Sequence, residues 1–359
     1  YHLELDMPFN ISTVSPAEAG TIVECCIPHT KKPFFLWGAY GVGKSSIVRS
    51  IVASLSEQNG EQFGFIDIRL SQFDAVDTRG IPTEDDGKTK WLLPDVWPDV
   101  ERDGKRGILF LDELLHATPS VQSAAYQLTN DRILGDYVLP DGWTVIAASN
   151  RPEDNAGVHG RTDAALANRF ATHLNITPSV EEWIEWAKAA DVNPYVIAFI
   201  SWRGAPTAET QGLLHEYPDG GAPKGHIAIA TPRSWENASA ILNAGLPVNL
   251  EQAALEGCVG QGAAAELSAF VRVIRDLPSF EDILRDPKSV PAPDDLSIRY
   301  AIVAQLAAKV DHSTVNNAVS WISGVDNELV AVFFQLADAG LKSSQAYIDY
   351  KVANQSTAI

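Results

Sequence analysis

The chain has 359 residues, which is too long for one comfortable hydrophobic core and predicts two or three domains. Hydrophobic residues make up 45% and charged residues 20%, an ordinary globular balance that excludes a largely disordered chain. The formal net charge of -19 repels nucleic-acid phosphates at long range, so it disfavours nucleic acid as a partner without excluding a local basic channel.

No apolar run reaches membrane-spanning length, and the first residues lack the apolar segment of a signal peptide. The three cysteines form no C-x-x-C pair, so neither a disulfide framework nor a zinc site is indicated. We therefore expect a cytoplasmic protein with no membrane association.

Predicted strands alternate with predicted helices in the first half of the chain. A short helix is expected first, followed by strand, helix, strand, a long connection, strand, helix and strand. In chain order these elements are residues 16–27, 34–37, 45–55, 63–70, 108–111, 120–130 and 143–148. Such alternation predicts an α/β fold with a parallel sheet covered on both faces.

The long connection, residues 71–105, is too long for a plain loop and is rich in Asp, Gly, Pro and Trp. We interpret it as a helix plus a projecting hairpin or loop. Lys88, Lys90 and Trp91 fall in the projecting part. A solvated hairpin is the simpler interpretation, and a basic-aromatic patch lining a pore is the alternative.

Strand signals fade after residue 177, and helical patterns take over. Helices are predicted at residues 180–190, 195–202, 234–243, 250–258, 263–275, 298–309 and 328–339. Residues 204–230 are rich in Gly and Pro and predict a loop, and residues 287–295 predict a linker.

The strongest chemical signal is a full G-x4-G-K-S pattern between an apolar strand and an apolar helix. It consists of Gly38, Ala39, Tyr40, Gly41, Val42, Gly43, Lys44 and Ser45, and the next residue, Ser46, joins the nucleotide-binding candidates. Glycines let the backbone wrap around phosphate oxygens with its amides pointing inward, and the following helix adds its dipole. Lys44 is expected to contact the terminal phosphates of ATP, and Ser45 the Mg2+ ion.

Two further predicted strands end in polar residues: Asp112 and Glu113 after one, and Asn150 after the other. Ligands bind outside the carboxyl ends of strands in open α/β sheets. Asp112 is therefore expected to hold Mg2+, directly or through water, and Glu113 to act as the general base. Asn150 is expected to hydrogen-bond the attacking water or the γ-phosphate, with a turn-forming role as the alternative.

Three arginines are candidates for transition-state stabilisation. Arg169 ends a stretch typical of a helix at a subunit edge, and we expect it to reach a neighbour's γ-phosphate as an arginine finger. Arg161 is a second candidate for that role. Arg233 opens a helix after a long loop and is expected to point at the nucleotide from a lid domain. For each of them, a surface salt bridge is the ordinary alternative.

With these residues together, the chain resembles the MoxR branch of AAA+ ATPases, the helix-2-insert clade of P-loop ATPases. The resemblance covers roughly residues 9–273 and is carried by residues 38–45, 109–113, 147–150, 166–170 and 231–234. It implies a three-layer αβα nucleotide-binding domain at 1–176, with the clade's insert at about 71–105. An α-helical lid at 177–277 and a C-terminal helical extension at 278–359 would follow.

The resemblance also implies a hexameric ring that binds ATP and Mg2+ at subunit interfaces and hydrolyses ATP. Members commonly act as chaperone-like remodelers of a protein client, often with a von Willebrand factor A domain partner. We therefore expect a ring ATPase that remodels a protein partner or complex. A nucleic-acid-stimulated translocase or restriction-type motor is the alternative. A non-hydrolysing scaffold is a third class, against which the intact Lys44, Asp112 and Glu113 argue.

Overall fold

The structure, a computed structural model, describes residues 11–154, 168–208, 210–217, 225–276 and 280–355. The chain divides into two compact units, and the boundary along the chain falls between Ser179 and Val180, with Tyr217 also assigned to the first unit. None of the described helices is both long enough and apolar enough to cross a membrane.

The first unit is built on a parallel sheet. The strands described in it are β1 Thr13–Val14, β2 Phe34–Trp37, β3 Gly64–Arg69, β4 Ile81–Asp85, β5 Lys88–Leu92, β6 Arg106–Asp112, β7 Ile133–Leu134, β8 Tyr137–Val138, β9 Gly142–Ser149 and β10 Thr172–Ile176. Six of them form one sheet in the order β1-β10-β2-β9-β6-β3, and every neighbouring pair in it is parallel. β3, the next strand of this sheet along the chain after β2, lies at the far edge of the sheet. The later strands β6 and β9 lie between β2 and β3.

Helices cover both faces of this sheet. The helices described in the first unit are α1 Pro16–Cys26, α2 Lys44–Asn59, α3 Ala75–Arg79, α4 Val100–Asp103 and α5 Pro119–Asp131. Because successive strand residues point to opposite faces, Phe34 packs with α1 and α2, whereas Phe35 packs with α5. All four residues of β2 are buried, as expected of a strand covered on both sides. The predicted three-layer α/β fold is confirmed.

Two strands of the sheet were not predicted from the sequence. β1 has only two residues, and β10 carries the polar His173 and Asn175 among its five residues. Neither segment shows the continuous apolar run that marks the inner strands. The sheet therefore has six strands, where the sequence pattern predicted four.

The stretch between β3 and β6 contains a helix, α3, and a hairpin formed by β4 and β5, as the sequence pattern predicted. Asp86 and Gly87 join the two strands with φ values of 53° and 73°. Positive φ at both central residues is the requirement of the tight two-residue hairpin turn that Asp-Gly favours. Most of the hairpin is exposed, including Trp91 at 40%.

The described part of the second unit consists of helices and connecting loops. Its helices are α6 Val180–Ala189, α7 Pro194–Arg203, α8 Pro232–Asn243, α9 Val248–Val259, α10 Gln261–Asp276, α11 Phe280–Arg285, α12 Leu296–Lys309, α13 Val315–Val325, α14 Leu329–Leu336 and α15 Gln345–Gln355. α11, α13 and α15 were not predicted from the sequence. One apolar cluster surrounds Phe199 and Trp235, a second surrounds Trp321 and Phe333, and α12 contributes to both.

Candidate nucleotide-binding site

The glycine-rich loop connects β2 to α2, and its glycines determine its shape. Gly41 and Gly43 have φ values of 74° and 96°, which L side chains rarely adopt. Gly38 is required by space, because a Cβ there would lie 3.1 Å from the Ile176 carbonyl oxygen and 3.1 Å from Val42 Cγ1. Gly43 immediately precedes α2, so the loop leads into a helix N-terminus, where anions are favoured.

Lys44 is the first residue of α2, and its side chain contacts the glycine-rich loop that precedes it. Its Nζ donates to the carbonyl oxygens of Gly38 at 2.7 Å and Ala39 at 3.2 Å. It also donates to Asn150 Oδ1 at 2.8 Å, across 106 positions of sequence. Asn150 follows β9, the sheet neighbour of β2, so parallel pairing brings the lysine and the amide together.

A serine and a carboxylate meet beside this lysine. Ser45 Oγ donates to Asp112 Oδ2 at 3.1 Å, and the backbone N–H of Glu113 donates to the other oxygen, Oδ1, at 2.9 Å. Asp112 is 9% exposed and ends β6. Hydroxyl and carboxylate oxygens are the ligands that Mg2+ prefers, so this pair fits the predicted metal site.

Carboxylates accumulate around the end of β6. Burial raises the pKa of Asp67 on β3, and the neighbouring charge of Asp112 raises it further, while Arg49 and Arg69 oppose the shift. Arg49 Nη2 lies 3.1 Å from Asp67 Oδ2. Burial is the larger cause of this shift, and Arg49 is the cation that pairs with Asp67.

Glu113, the predicted general base, is held by a residue that the sequence reasoning missed. Ser71 lies in a short turn directly after β3, and its Oγ donates to Glu113 Oε2. Glu113 itself has a φ of 56°, in the left-handed region that a non-glycine residue seldom occupies. A polar residue immediately after a strand of the same parallel sheet was the available signal, because β3 pairs with β6.

The arginines have separate surroundings. The Arg169 guanidinium carbon lies 4.8 Å from the centroid of the Tyr126 ring on α5, a cation–π contact. Arg233 is exposed in the first turn of α8, in the second unit, where Thr231 and Ser234 form a capping box. Arg161 lies outside the described residues, as do the two residues at 166–167 of the predicted arginine-finger stretch.

A parallel sheet covered on both faces, a glycine-shaped loop entering a helix, and a serine–aspartate pair beside the loop lysine define the P-loop class of nucleotide-binding proteins. Residues 33–170 match the family model described as the AAA domain of the dynein-related subfamily. That range contains the loop and the ends of β6 and β9. The chain therefore contains a P-loop ATPase domain of the AAA+ class.

Similar solved structures include a RuvB variant from Thermotoga maritima, at 14% identity over 86% of this chain and 92% of that chain, with a TM-score of 0.39. NtrX from Brucella abortus in complex with ATP is 14% identical over 93% of this chain and 69% of that chain, with a TM-score of 0.40. C. elegans PCH-2 is 14% identical over 70% of this chain and 67% of that chain, with a TM-score of 0.33. Similarity at this level supports no inference about function. No curated protein was found to match the chain.

Proposed function

We propose that this chain is a MoxR-type AAA+ ATPase that hydrolyses ATP in a hexameric ring and remodels a protein partner or complex. The observation that supports hydrolysis best is the meeting of Lys44 with Asn150, and of Ser45 with Asp112, at one edge of the sheet. Four side chains from α2, β6 and the end of β9 converge there, as phosphoryl transfer requires. The remodelling role rests on the resemblance to the MoxR branch.

ATP would be held by the backbone amides of the loop, by Lys44 and by the start of α2, where Ser46 lies. Mg2+, when bound, neutralises charge on the β- and γ-phosphates. Ser45 and Asp112 would supply two of its ligands. No group of three or more His, Cys, Asp or Glu side chains in the described parts of the chain is arranged to hold a metal. Phosphate and water oxygens would therefore supply the remaining ligands, as Mg2+ commonly accepts.

For hydrolysis, Glu113 would accept a proton from the attacking water, and the Ser71 hydroxyl would orient its carboxylate. Asn150 would hydrogen-bond the same water or the γ-phosphate. Arg169, which Tyr126 holds on the first unit, would reach the nucleotide of a neighbouring subunit. Arg233 would act on the nucleotide from the proposed lid domain at 177–277, which the proposed C-terminal extension at 278–359 follows.

A protein client suits the surface better than nucleic acid. The hairpin lysines that suggested a basic-aromatic patch are outnumbered by three adjacent carboxylates, Glu84, Asp85 and Asp86. Lys90 Nζ pairs with Asp85 Oδ2 on the hairpin itself. Together with the net charge of -19, this leaves no local excess of positive charge on the hairpin. We propose a protein partner, such as a von Willebrand factor A domain protein, in the cytoplasm, where ATP is supplied.

Lys44→Ala is expected to weaken ATP binding about 10- to 100-fold, because a charge-assisted hydrogen bond to phosphate is worth about 1.5–3 kcal/mol. Isothermal titration with ATP and Mg2+ measures the affinity. Lys32→Ala is the control, since that exposed lysine precedes β2 and lies outside the loop. An unchanged affinity in Lys44→Ala, with the fold intact by circular dichroism, would contradict the proposed phosphate site.

Ser71→Ala is expected to lower kcat about 3- to 10-fold and to leave ATP affinity unchanged. The loss corresponds to one orienting hydrogen bond of about 1 kcal/mol on the general base. Ser71→Thr keeps a hydroxyl and is the matched control, with near-normal kcat expected. A rise in kcat for Ser71→Ala, measured by steady-state phosphate release, would show that the hydrogen bond restrains Glu113 instead of orienting it.

A further inference from the structure

A buried ion pair lies directly after Asn150. Arg151 Nη2 is 2.8 Å from Asp154 Oδ1, and Arg151 Nε is 3.2 Å from each carboxylate oxygen. The backbone N–H of Arg151 also donates to Asp154 Oδ2, at 2.8 Å. The Arg151 side chain is 3% exposed and that of Asp154 is 0% exposed. One carboxylate therefore binds both the side chain and the main chain of Arg151 and closes the turn Pro152–Asp154.

A contribution to the stability of the fold does not by itself explain why the Arg151–Asp154 pair is buried. Removing two charges from water costs several kcal/mol per ion, and well-packed apolar side chains in the same place are often equally stabilising or better. An ion pair of this kind does, however, impose a geometry. The hydrogen bond from the Arg151 backbone N–H to the Asp154 carboxylate constrains the backbone at the residue that follows Asn150. That residue, Arg151, lies two positions after Ser149, where β9 ends at the carboxyl edge of the sheet.

We propose that Arg151 and Asp154 are positioning residues for ATP hydrolysis. By fixing the backbone after β9, the pair holds the Asn150 amide 2.8 Å from Lys44 Nζ, where it can meet the attacking water or the γ-phosphate. The inference rests on the proposed role of Asn150 in hydrolysis. It adds two residues that touch neither the nucleotide nor the water and act through Asn150. A misplacement of about 1 Å at a reacting group can cost about 100-fold in rate.

The main test is the double variant Arg151→Met/Asp154→Leu, which removes both charges and keeps the site apolar and filled. We expect a melting temperature within a few degrees of wild type and an ATP affinity within about twofold. We expect kcat to fall about 10- to 100-fold, because the backbone constraint on Asn150 is lost while the core remains packed. Asp154→Asn tests the charge alone, and its melting temperature is expected to fall because the carboxylate nearest to the buried Arg151 guanidinium loses its charge, while Glu153 Oε1 lies 3.9 Å from Arg151 Nε.

Arg102 and Asp103 form a control pair with similar hydrogen bonds but more exposed side chains, at 44% and 18%. Arg102 Nε and Nη2 lie 2.9 Å and 2.7 Å from the two carboxylate oxygens of Asp103. This pair lies just before β6, at the amino end of the sheet. Asp103→Asn is therefore expected to leave kcat unchanged. A loss of kcat in both Asp103→Asn and the double variant would point to general damage to the fold and would overturn the proposal.

A second arm asks whether the pair acts through Asn150. In an Asn150→Ala background, adding Arg151→Met/Asp154→Leu should lower kcat by no more than about twofold, since the residue being positioned is already absent. A fully additive loss would overturn the proposal. So would wild-type kcat in the double variant, or loss of its cooperative unfolding, which would assign the pair to the fold alone. If Asn150→Ala by itself leaves kcat unchanged, the proposed role of Asn150 fails, and this inference fails with it, independently of the ion pair.

Discussion

Replacing Arg169 with alanine is expected to leave ATP binding intact and to lower kcat about 10³- to 10⁵-fold, the value of a supplied arginine in related phosphoryl transfer. The guanidinium rests on the ring of Tyr126, and no hydrogen bond from Arg169 to the P-loop is found among the described residues. In the proposed ring, Arg169 would reach the nucleotide of the next subunit. Equilibrium nucleotide binding and steady-state phosphate release measure the two halves of this prediction.

Mixing subunits distinguishes a shared site from a self-contained one. Arg169→Ala subunits keep Lys44, and Lys44→Ala subunits keep Arg169, so some interfaces of a mixed ring would combine an intact lysine with an intact arginine. Activity should reappear in the mixture, and wild-type activity per subunit should rise with protein concentration as rings assemble. No recovery in any mixture of ring-forming variants would count against the shared site, and full activity in a monomer would rule it out.

Arg106 offers a control for the loss of an arginine that stacks on a ring. Its guanidinium carbon lies 5.7 Å from the centroid of the Phe63 ring, and its Nη1 lies 3.3 Å from Glu61. It begins β6 at the edge of the sheet opposite the P-loop. Arg106→Ala should therefore keep wild-type kcat. Equal losses in Arg106→Ala and Arg169→Ala would show that neither arginine has a special catalytic role.

Glu113→Gln is expected to bind ATP normally and to hydrolyse it about 10²- to 10⁴-fold more slowly. Glutamine keeps the size of the side chain and its hydrogen bond from Ser71, but it does not accept the proton of the attacking water. Asp112 is unchanged in this variant, so Mg2+ binding should persist. Single-turnover hydrolysis isolates the chemical step from product release.

The exposed Glu61 is the control for removing a carboxylate, because it lies before β3 and beyond the amino end of the sheet. Glu61→Gln should hydrolyse ATP at the wild-type rate. If Glu113→Gln also turns over at a rate near wild type, Glu113 is not the general base, and the candidate must be sought among other groups at the carboxyl edge.

The parts of the site that the sequence predicted are those defined within one short segment. The loop at residues 38–45 needs only eight contiguous residues, and its flanking apolar runs are long enough to predict β2 and α2. Asp112 and Asn150 were predicted for the same reason, since each ends a continuous apolar run. The sequence also indicated the insert hairpin, whose Asp86-Gly87 turn is a local signal.

Weak local patterns account for most of the elements that were missed. β1 is a two-residue strand, and its register is set by pairing with β10. β10 alternates with polar residues and becomes a sheet strand through its pairing with β2 on the other side. α13 was overlooked although its buried residues Val315, Ala318 and Ile322 recur at helical spacing. α15 packs in the second apolar cluster of the helical unit, whose members are spread from residue 283 to residue 346. Tertiary packing decided the two strands and α15 where local propensity did not.

The sequence by itself determined that this chain binds nucleotide phosphate through a P-loop, because the whole motif consists of adjacent residues. Only the tertiary structure decided which distant groups meet there. Lys44 reaches Asn150 because β2 and β9 are neighbours, and Ser71 reaches Glu113 because β3 and β6 are neighbours. Strand order depends on hydrogen bonds and burial between segments far apart in the chain. No local pattern of residues records those pairings, so the contacts that orient the site emerged only from the fold.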